Sequence, residues 1–223
     1  MFDLKTIKTG ALIGAIAAGC WIQAGTADAQ ESRTLTVAGG CFWCVEADFE
    51  KVQGVGDVVS GYTGGEIANP TYQQVAGGRT DHYEAVEIPY DPDEVSYGQL
   101  LDLFLRSVDP LDAGGQFCDR GDQYRTAIFV ESPEQRRAAE EAIAEAEAEL
   151  GQQIVTPILE AGPFYEAEDY HQDYYKSDER IAFSTVGLGV PKSVAYERYR
   201  DRCGRDARIE RIWGSDAPFL PSS

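Results

Sequence analysis

At 223 residues and 43% hydrophobic side chains, the chain can fill one core, or at most two, and is not a disordered tail. Its 38 acidic against 19 basic residues give a net charge of -19, which argues against nucleic acid and anionic membrane surfaces as partners. Solubility is the plain reading of that charge.

In chain order, the first segment stands apart. Lys5 and Lys8 precede the apolar run ALIGAIAAGCWI, and Ala27-Asp28-Ala29 supplies small residues where a signal peptidase reads. Residues 1–29 are therefore expected to be a secretory signal cleaved before Gln30. Export to the periplasm or beyond follows, with no stable membrane insertion afterwards, the apolar run being short and broken by glycines. Lipidation at Cys20, in AAGC, is the alternative, although the usual leucine three positions earlier is missing. The exported chain keeps Cys41, Cys44, Cys118 and Cys203, an even set that an oxidising compartment permits to pair. Met1 is the only methionine, so the exported protein has no thioether to oxidise.

With no internal repeat or low-complexity stretch, residues 30–223 read as a single domain. RTLTVAGG, from 33 to 40, predicts the first strand. Val45, Phe49 and Val52 recur at helical spacing after it, with Gly54 ending the helix. Cys41 therefore falls at a helix N-terminus, where the helix dipole favours a thiolate. Residues 55–62 and 82–90 predict strands joined by a long turn-rich loop, and such loops tend to be functional. SYGQLLDLFLRSVDP predicts a core helix with a Ser96/Gln99 capping box, ending at Asp109-Pro110. A strand from Tyr124 to Val130, a helix from Ser132 to Gly151 and a strand over 154–159 follow. Beyond Gly162 the chain is aromatic-rich and is expected to wrap the core irregularly. The fold class is thus α+β: a two-layer sandwich of helices on a mixed, largely antiparallel sheet, with a long irregular C-terminal segment.

Chemistry concentrates in GGCFWCVEADFE and HYEAVEIPY. Alternation in the second stretch puts Glu84 on one face with His82, Val86 and Ile88, where desolvation raises a carboxyl pKa and lets it donate a proton near neutrality. A Glu buried in a salt bridge fits the same pattern, and His82 reads as a structural hydrogen-bonding side chain. The Cys41-x-x-Cys44 pair admits three chemistries: zinc knuckle, thioredoxin-type redox pair, or nucleophilic thiol beside an aromatic pocket. Zinc wants a second close ligand pair, and none exists, so no metal is expected. The thioredoxin reading has strand, Cys-x-x-Cys and helix in order, with Pro157 after Thr156 as a candidate cis-proline. Only one strand precedes Cys41, however, where that fold normally has more.

GCFWCVEADF, GYTGGEIANPTYQQVAGG, HYEAVEIPYDP, RGDQYRTAIF and FYEAEDYHQDYY, between about residues 35 and 176, resemble in content and order the peptide methionine sulfoxide reductases of the A type. GCFW combined with HYEAV is a highly specific pairing. The resemblance implies that Cys41 attacks the sulfoxide sulfur and that Glu84 protonates the departing oxygen. It also implies that Tyr72 and Tyr124 hydrogen-bond that oxygen, with Asp119 as the acid nearby. Phe42 and Trp43 would cage the substrate methyl group. The expected activity is reduction of free or protein-bound methionine-S-sulfoxide through a Cys41 sulfenic acid and a disulfide. No bound cofactor is expected, only an external dithiol such as thioredoxin, and the protein should act as a monomer.

Three features depart from the family pattern: Asp81 where glycine is common, FCDRGDQY in place of an asparagine-containing loop, and a tail without the glycine-rich pair of cysteines. The resolving thiol is therefore open among Cys44, Cys118 and Cys203. Cys44, one helical turn from Cys41, is the expected resolving thiol, while Cys118 and Cys203 could equally form a structural disulfide. A periplasmic thiol-disulfide oxidoreductase using Cys41 and Cys44 is the competing function. An acidic secreted binding domain stapled by two disulfides is the third.

Overall fold

The computed structural model of the chain describes residues 33–182 and 189–220. The expected signal segment lies outside them. Six strands form the main sheet: β1 (Arg33–Gly39), β2 (Val59–Thr63), β3 (Tyr83–Tyr90), β6 (Thr126–Val130), β7 (Ile158–Glu160) and β8 (Tyr165–Glu166). Their order is β7-β6-β1-β3-β2-β8, and every pairing is antiparallel except β6 with β7. A small hairpin, β4 (Gly115–Gln116) and β5 (Asp119–Arg120), stands apart.

The strands alternate as their sequences demand. Leu35, Val37, Val86, Ile88, Ile128 and Val130 face α1 (Phe42–Phe49), α3 (Tyr97–Arg106) and α4 (Pro133–Leu150) across the main core. Ala38, Tyr83, Ala85, Ala127 and Phe129 pack on the other face beneath Leu159, Ala161 and Phe164. Each large apolar side chain so buried contributes about 1.5–3 kcal/mol. The expected caps form: Ser96 Oγ accepts from Gln99 N at 3.2 Å, and Ser132 Oγ accepts from Gln135 N at 3.2 Å. Gly151 closes α4 in the left-handed region, at φ 61°.

Several segments differ from expectation: α1 stops at Phe49 rather than running to Gly54, the strand expected over 55–62 begins at Val59, and the one expected over 154–159 begins at Ile158. The long loop after β2 contains a short helix, α2 (Tyr72–Ala76), opened by a Thr71/Gln74 capping box. His82 pins the same loop, accepting from Gly65 N at 3.1 Å and donating to the Ile67 carbonyl at 2.7 Å. The C-terminal segment is also not irregular throughout, because α5 (Lys192–Cys203) and α6 (Arg205–Trp213) close it. α5 escapes an apolar periodicity search for a physical reason: among its buried residues are Lys192, Tyr196 and Arg200, and α6 buries Arg205. Its inner face is held by ion pairs and carbonyls as well as by apolar packing.

Candidate active site

Cys41 caps α1 just beyond β1, and Gly40 makes the turn between them. Gly40 sits at φ +82°, and a Cβ there would lie 2.6 Å from Gln116 Cβ, so both the backbone angle and the space require glycine. β3 is antiparallel to β1, with Val86 opposite Val37, which brings Glu84 level with the end of β1. Tyr72 opens α2, Asp119 begins β5, and Tyr124 ends a 3-10 turn ahead of β6.

These loops converge on one cleft of about 60 Å³ lined by Cys41, Phe42, Trp43, Tyr72, Glu84, Asp119, Tyr124 and Tyr199. Seven of the eight residues expected from sequence therefore meet in the cleft. The eighth, Cys44, is buried beside Cys41 in a cluster with Ala47, Tyr174, Ala195 and Tyr196. Cys118 and Cys203 are joined to each other by a disulfide, whereas Cys41 and Cys44 are free thiols.

The electrostatics suit a proton donor. Glu84 is 2% exposed and accepts a hydrogen bond from Phe42 N at 3.2 Å. Burial pushes its carboxyl up to about 8, against the opposing pull of that N–H, so it is protonated at neutral pH. Burial likewise raises Asp119, to which the Tyr199 hydroxyl donates, and raises Tyr72 and Tyr124 further into the neutral form.

The expected thiolate at Cys41 is corrected. Burial holds its thiol well above the ordinary value, helped by the adjoining Cys44 sulfur and by the nearby charges of Glu84 and Asp119. Cys44 moves the other way: the adjoining Cys41 thiol, with Arg205 and Arg200 nearby, outweighs its burial. A helix end contributes about 0.3–1 kcal/mol, less than the cost of placing an anion in a buried site beside two acids.

The aromatic wall is built from the C-terminal half. Trp43 stacks on Tyr174 with centroids 3.8 Å apart, meets Tyr199 edge-on, and donates its indole N–H to His171 Nδ1 at 3.2 Å. Burial lowers His171 to about 4, so it is neutral, and its ring also lies 4.3 Å from that of Tyr72. Glu168 accepts from Tyr72 N and from the Tyr62 hydroxyl, both at 3.1 Å. Tyr199, Tyr174, His171 and Glu168 were not singled out from sequence. The FYEAEDYHQDYY stretch carried a signal for three of them, but its roles do not follow from spacing.

Candidate metal ligands are otherwise engaged. Cys118 and Cys203 approach Asp119 but are bonded together, and the Glu46–Glu50–Asp173 group takes the Lys176 ammonium, 2.6 Å from Glu50 and 2.8 Å from Asp173.

The sequence model of the family described as "Peptide methionine sulfoxide reductase" matches residues 33–201. "Peptide methionine sulfoxide reductase MsrA 2" of Rhizobium meliloti is 45% identical over 191 residues, covering 86% of this chain and 88% of that protein. "Peptide methionine sulfoxide reductase MsrA/MsrB" of Vibrio cholerae is 44% identical over 84% of this chain, which spans only 47% of that longer protein. Among solved structures, "Methionine sulfoxide reductase A of Corynebacterium diphtheriae" superposes with a TM-score of 0.59 at 32% identity, covering 72% of this chain and 83% of that one. The chain belongs to the peptide methionine sulfoxide reductase family.

Proposed function

We propose that the protein reduces methionine-S-sulfoxide, free or in oxidised proteins, to methionine. The observation that carries the reading is the meeting of a buried, protonated Glu84 with the Cys41 thiol beneath the Phe42–Trp43 wall in one small cleft. Glu84 protonates the sulfoxide oxygen, and Tyr72 and Tyr124 steady it as its charge changes. The Cys41 sulfur, its proton passing to the adjoining Cys44, attacks the activated sulfoxide sulfur. Asp119 holds the far side of the cleft through Tyr199. The net exchange converts one thiol and one sulfoxide into one sulfenic acid at Cys41 and one sulfide; the proton that Cys44 took returns to Glu84, which leaves Cys44 a thiolate again.

Cys44 then attacks the sulfenic sulfur, the S–O bond breaks, and hydroxide leaves as water on taking up a proton. An external dithiol, thioredoxin or a protein like it, reduces the resulting Cys41–Cys44 disulfide by exchange. With Cys118 and Cys203 bonded to each other, Cys44 is the free thiol nearest to hand. Export, with repair of oxidised proteins outside the cytoplasm, belongs to the same proposal and is supported by the leader-like first 29 residues; action as a monomer is proposed with it.

The thioredoxin-type alternative is not favoured, since the strand before Cys41 has antiparallel neighbours on both sides. The deciding assay is turnover of a methyl sulfoxide with dithiothreitol by wild type and Cys41→Ser. Turnover by wild type alone supports the reading. Reduction of insulin disulfides without sulfoxide turnover refutes it.

A further inference from the structure

Cys44, Ala47 and Asp48 lie along one buried face of α1, with Cys44 and Asp48 one helical turn apart. α5 covers that face with Ala195, Tyr196 and Arg200, and α6 with Arg205. Arg200 Nη1 donates to Asp48 Oδ1 at 2.8 Å and to the Tyr196 hydroxyl at 2.9 Å, while its other nitrogens hold Asp206. Arg205 is 1% exposed; it donates to the carbonyls of Gly39 at 3.3 Å and Ser107 at 2.8 Å and lies 4.8 Å over the Phe117 ring. Its Nε and Asp48 Oδ2 stand 3.8 Å apart, and each lacks a hydrogen-bond partner.

Carbonyls satisfy the hydrogen bonds of a guanidinium but do not neutralise it. Two buried cations therefore face one fully buried anion, Asp48, with Asp206 a partly exposed and solvent-screened second. An additional anion against α1 is favoured. The other titratable groups around Cys44 and these arginines are Cys41, Glu84, Asp119, Tyr174, Tyr196 and Tyr199, and burial pushes each of them towards its neutral form. Cys44 alone among these groups moves towards its charged form.

We propose that Arg200 and Arg205 are positioning residues for recycling, a buried cationic platform that holds Cys44 as the anion that attacks the Cys41 sulfenic acid. The recycling part of this rests on Cys44 being the resolving thiol; the ionisation of Cys44 does not. In the step itself the Cys44 lone pair forms the S–S bond, the S–O bond of the sulfenic acid breaks, and the departing hydroxide is protonated to water. The cations lose a thiolate counter-ion as the disulfide forms, so the external dithiol that later breaks it regenerates the favoured charge state.

The test separates these two claims. In a Cys20→Ser, Cys41→Ser background Cys44 is the thiol left outside the Cys118–Cys203 disulfide, and its titration is followed by thiolate ultraviolet absorbance. Arg200→Gln and Arg205→Gln should each move the midpoint up by about one to three pH units, and Asp48→Asn should move it down. Arg205→Lys keeps the charge and should stay near the parent, with circular dichroism reporting the fold of every variant. An unchanged midpoint in a folded Arg→Gln variant, or an upward shift in Asp48→Asn, overturns the platform; if Arg205→Gln does not fold, the sign in Asp48→Asn decides. With Cys41 restored and one equivalent of methyl sulfoxide supplied, Arg200→Gln should slow disulfide closure near pH 7 about tenfold or more relative to methionine release. Shifted titration with unslowed closure means that another thiol resolves the intermediate and that the arginines have no part in recycling.

Discussion

Replacing Glu84 with Gln keeps the shape of the side chain and an oxygen to accept the Phe42 N–H, but removes the acidic proton. With its carboxyl at about 8, Glu84 is about nine-tenths protonated at pH 7, so the variant should lose a general acid that is present in nearly every molecule. The expected cost is about 10²- to 10⁴-fold in the single-turnover rate of methionine release. Wild-type activity should fall above about pH 8 as Glu84 ionises, and that limb should vanish in the variant. Stability carries the same signature with a definite sign. A carboxyl raised from 4.5 to about 8 binds its proton more tightly in the folded state, so stability is lost as pH climbs from 4.5 through 8. By pH 7 that amounts to about 3 kcal/mol, taking about 1.4 kcal/mol per pH unit. Glu84→Gln, with no ionisation to suffer, should therefore gain in melting temperature relative to wild type between pH 5 and pH 8. Near wild-type turnover across this range, or a melting difference independent of pH, would refute the argument.

The pocket and the cysteines give further expectations. Trp43→Ala should lose much of the discrimination between methyl and larger alkyl sulfoxides in competition assays, while alkylation of Cys41 by a small reagent changes far less; collapse of both together would make Trp43 a fold residue. Counting thiols after one equivalent of sulfoxide without reductant should show two lost per methionine in wild type and one in Cys44→Ser. Cys118 and Cys203 lie 85 residues apart in sequence, so the Cys118→Ser, Cys203→Ser double variant should lose up to about 4 kcal/mol in denaturant unfolding. It should still turn over with dithiothreitol, and a loss of turnover in the folded variant would return those cysteines to the recycling path.

The parts of the site legible in sequence were those governed by local rules. Strand alternation put Glu84 on an apolar face, and burial there raised its carboxyl as expected. Cap and stop residues located both ends of α4 and the start of α3, which ends at Arg106, three residues short of the expected Asp109. What was not legible depends on contacts across the chain. Tyr199 reaches the cleft only because α5 folds back over α1, and α5 has a polar inner face that no apolar period marks. Nothing local marks Arg200 and Arg205 as buried; Asp48, 152 residues before Arg200, meets them only in the folded chain. The thiolate expected at Cys41 failed for a related reason. Its helix end is a local feature, whereas the acids that oppose its ionisation arrive on β3 and β5.

Cys41 as the atom that takes the oxygen is tested most directly by trapping. Cys44→Ser enzyme mixed with one equivalent of methionine sulfoxide, in the presence of a sulfenic-acid-specific carbon nucleophile, should release one methionine per chain and carry the adduct on the peptide containing Cys41. Methionine release with the adduct on another residue, or an adduct at Cys41 without methionine, would contradict the assignment.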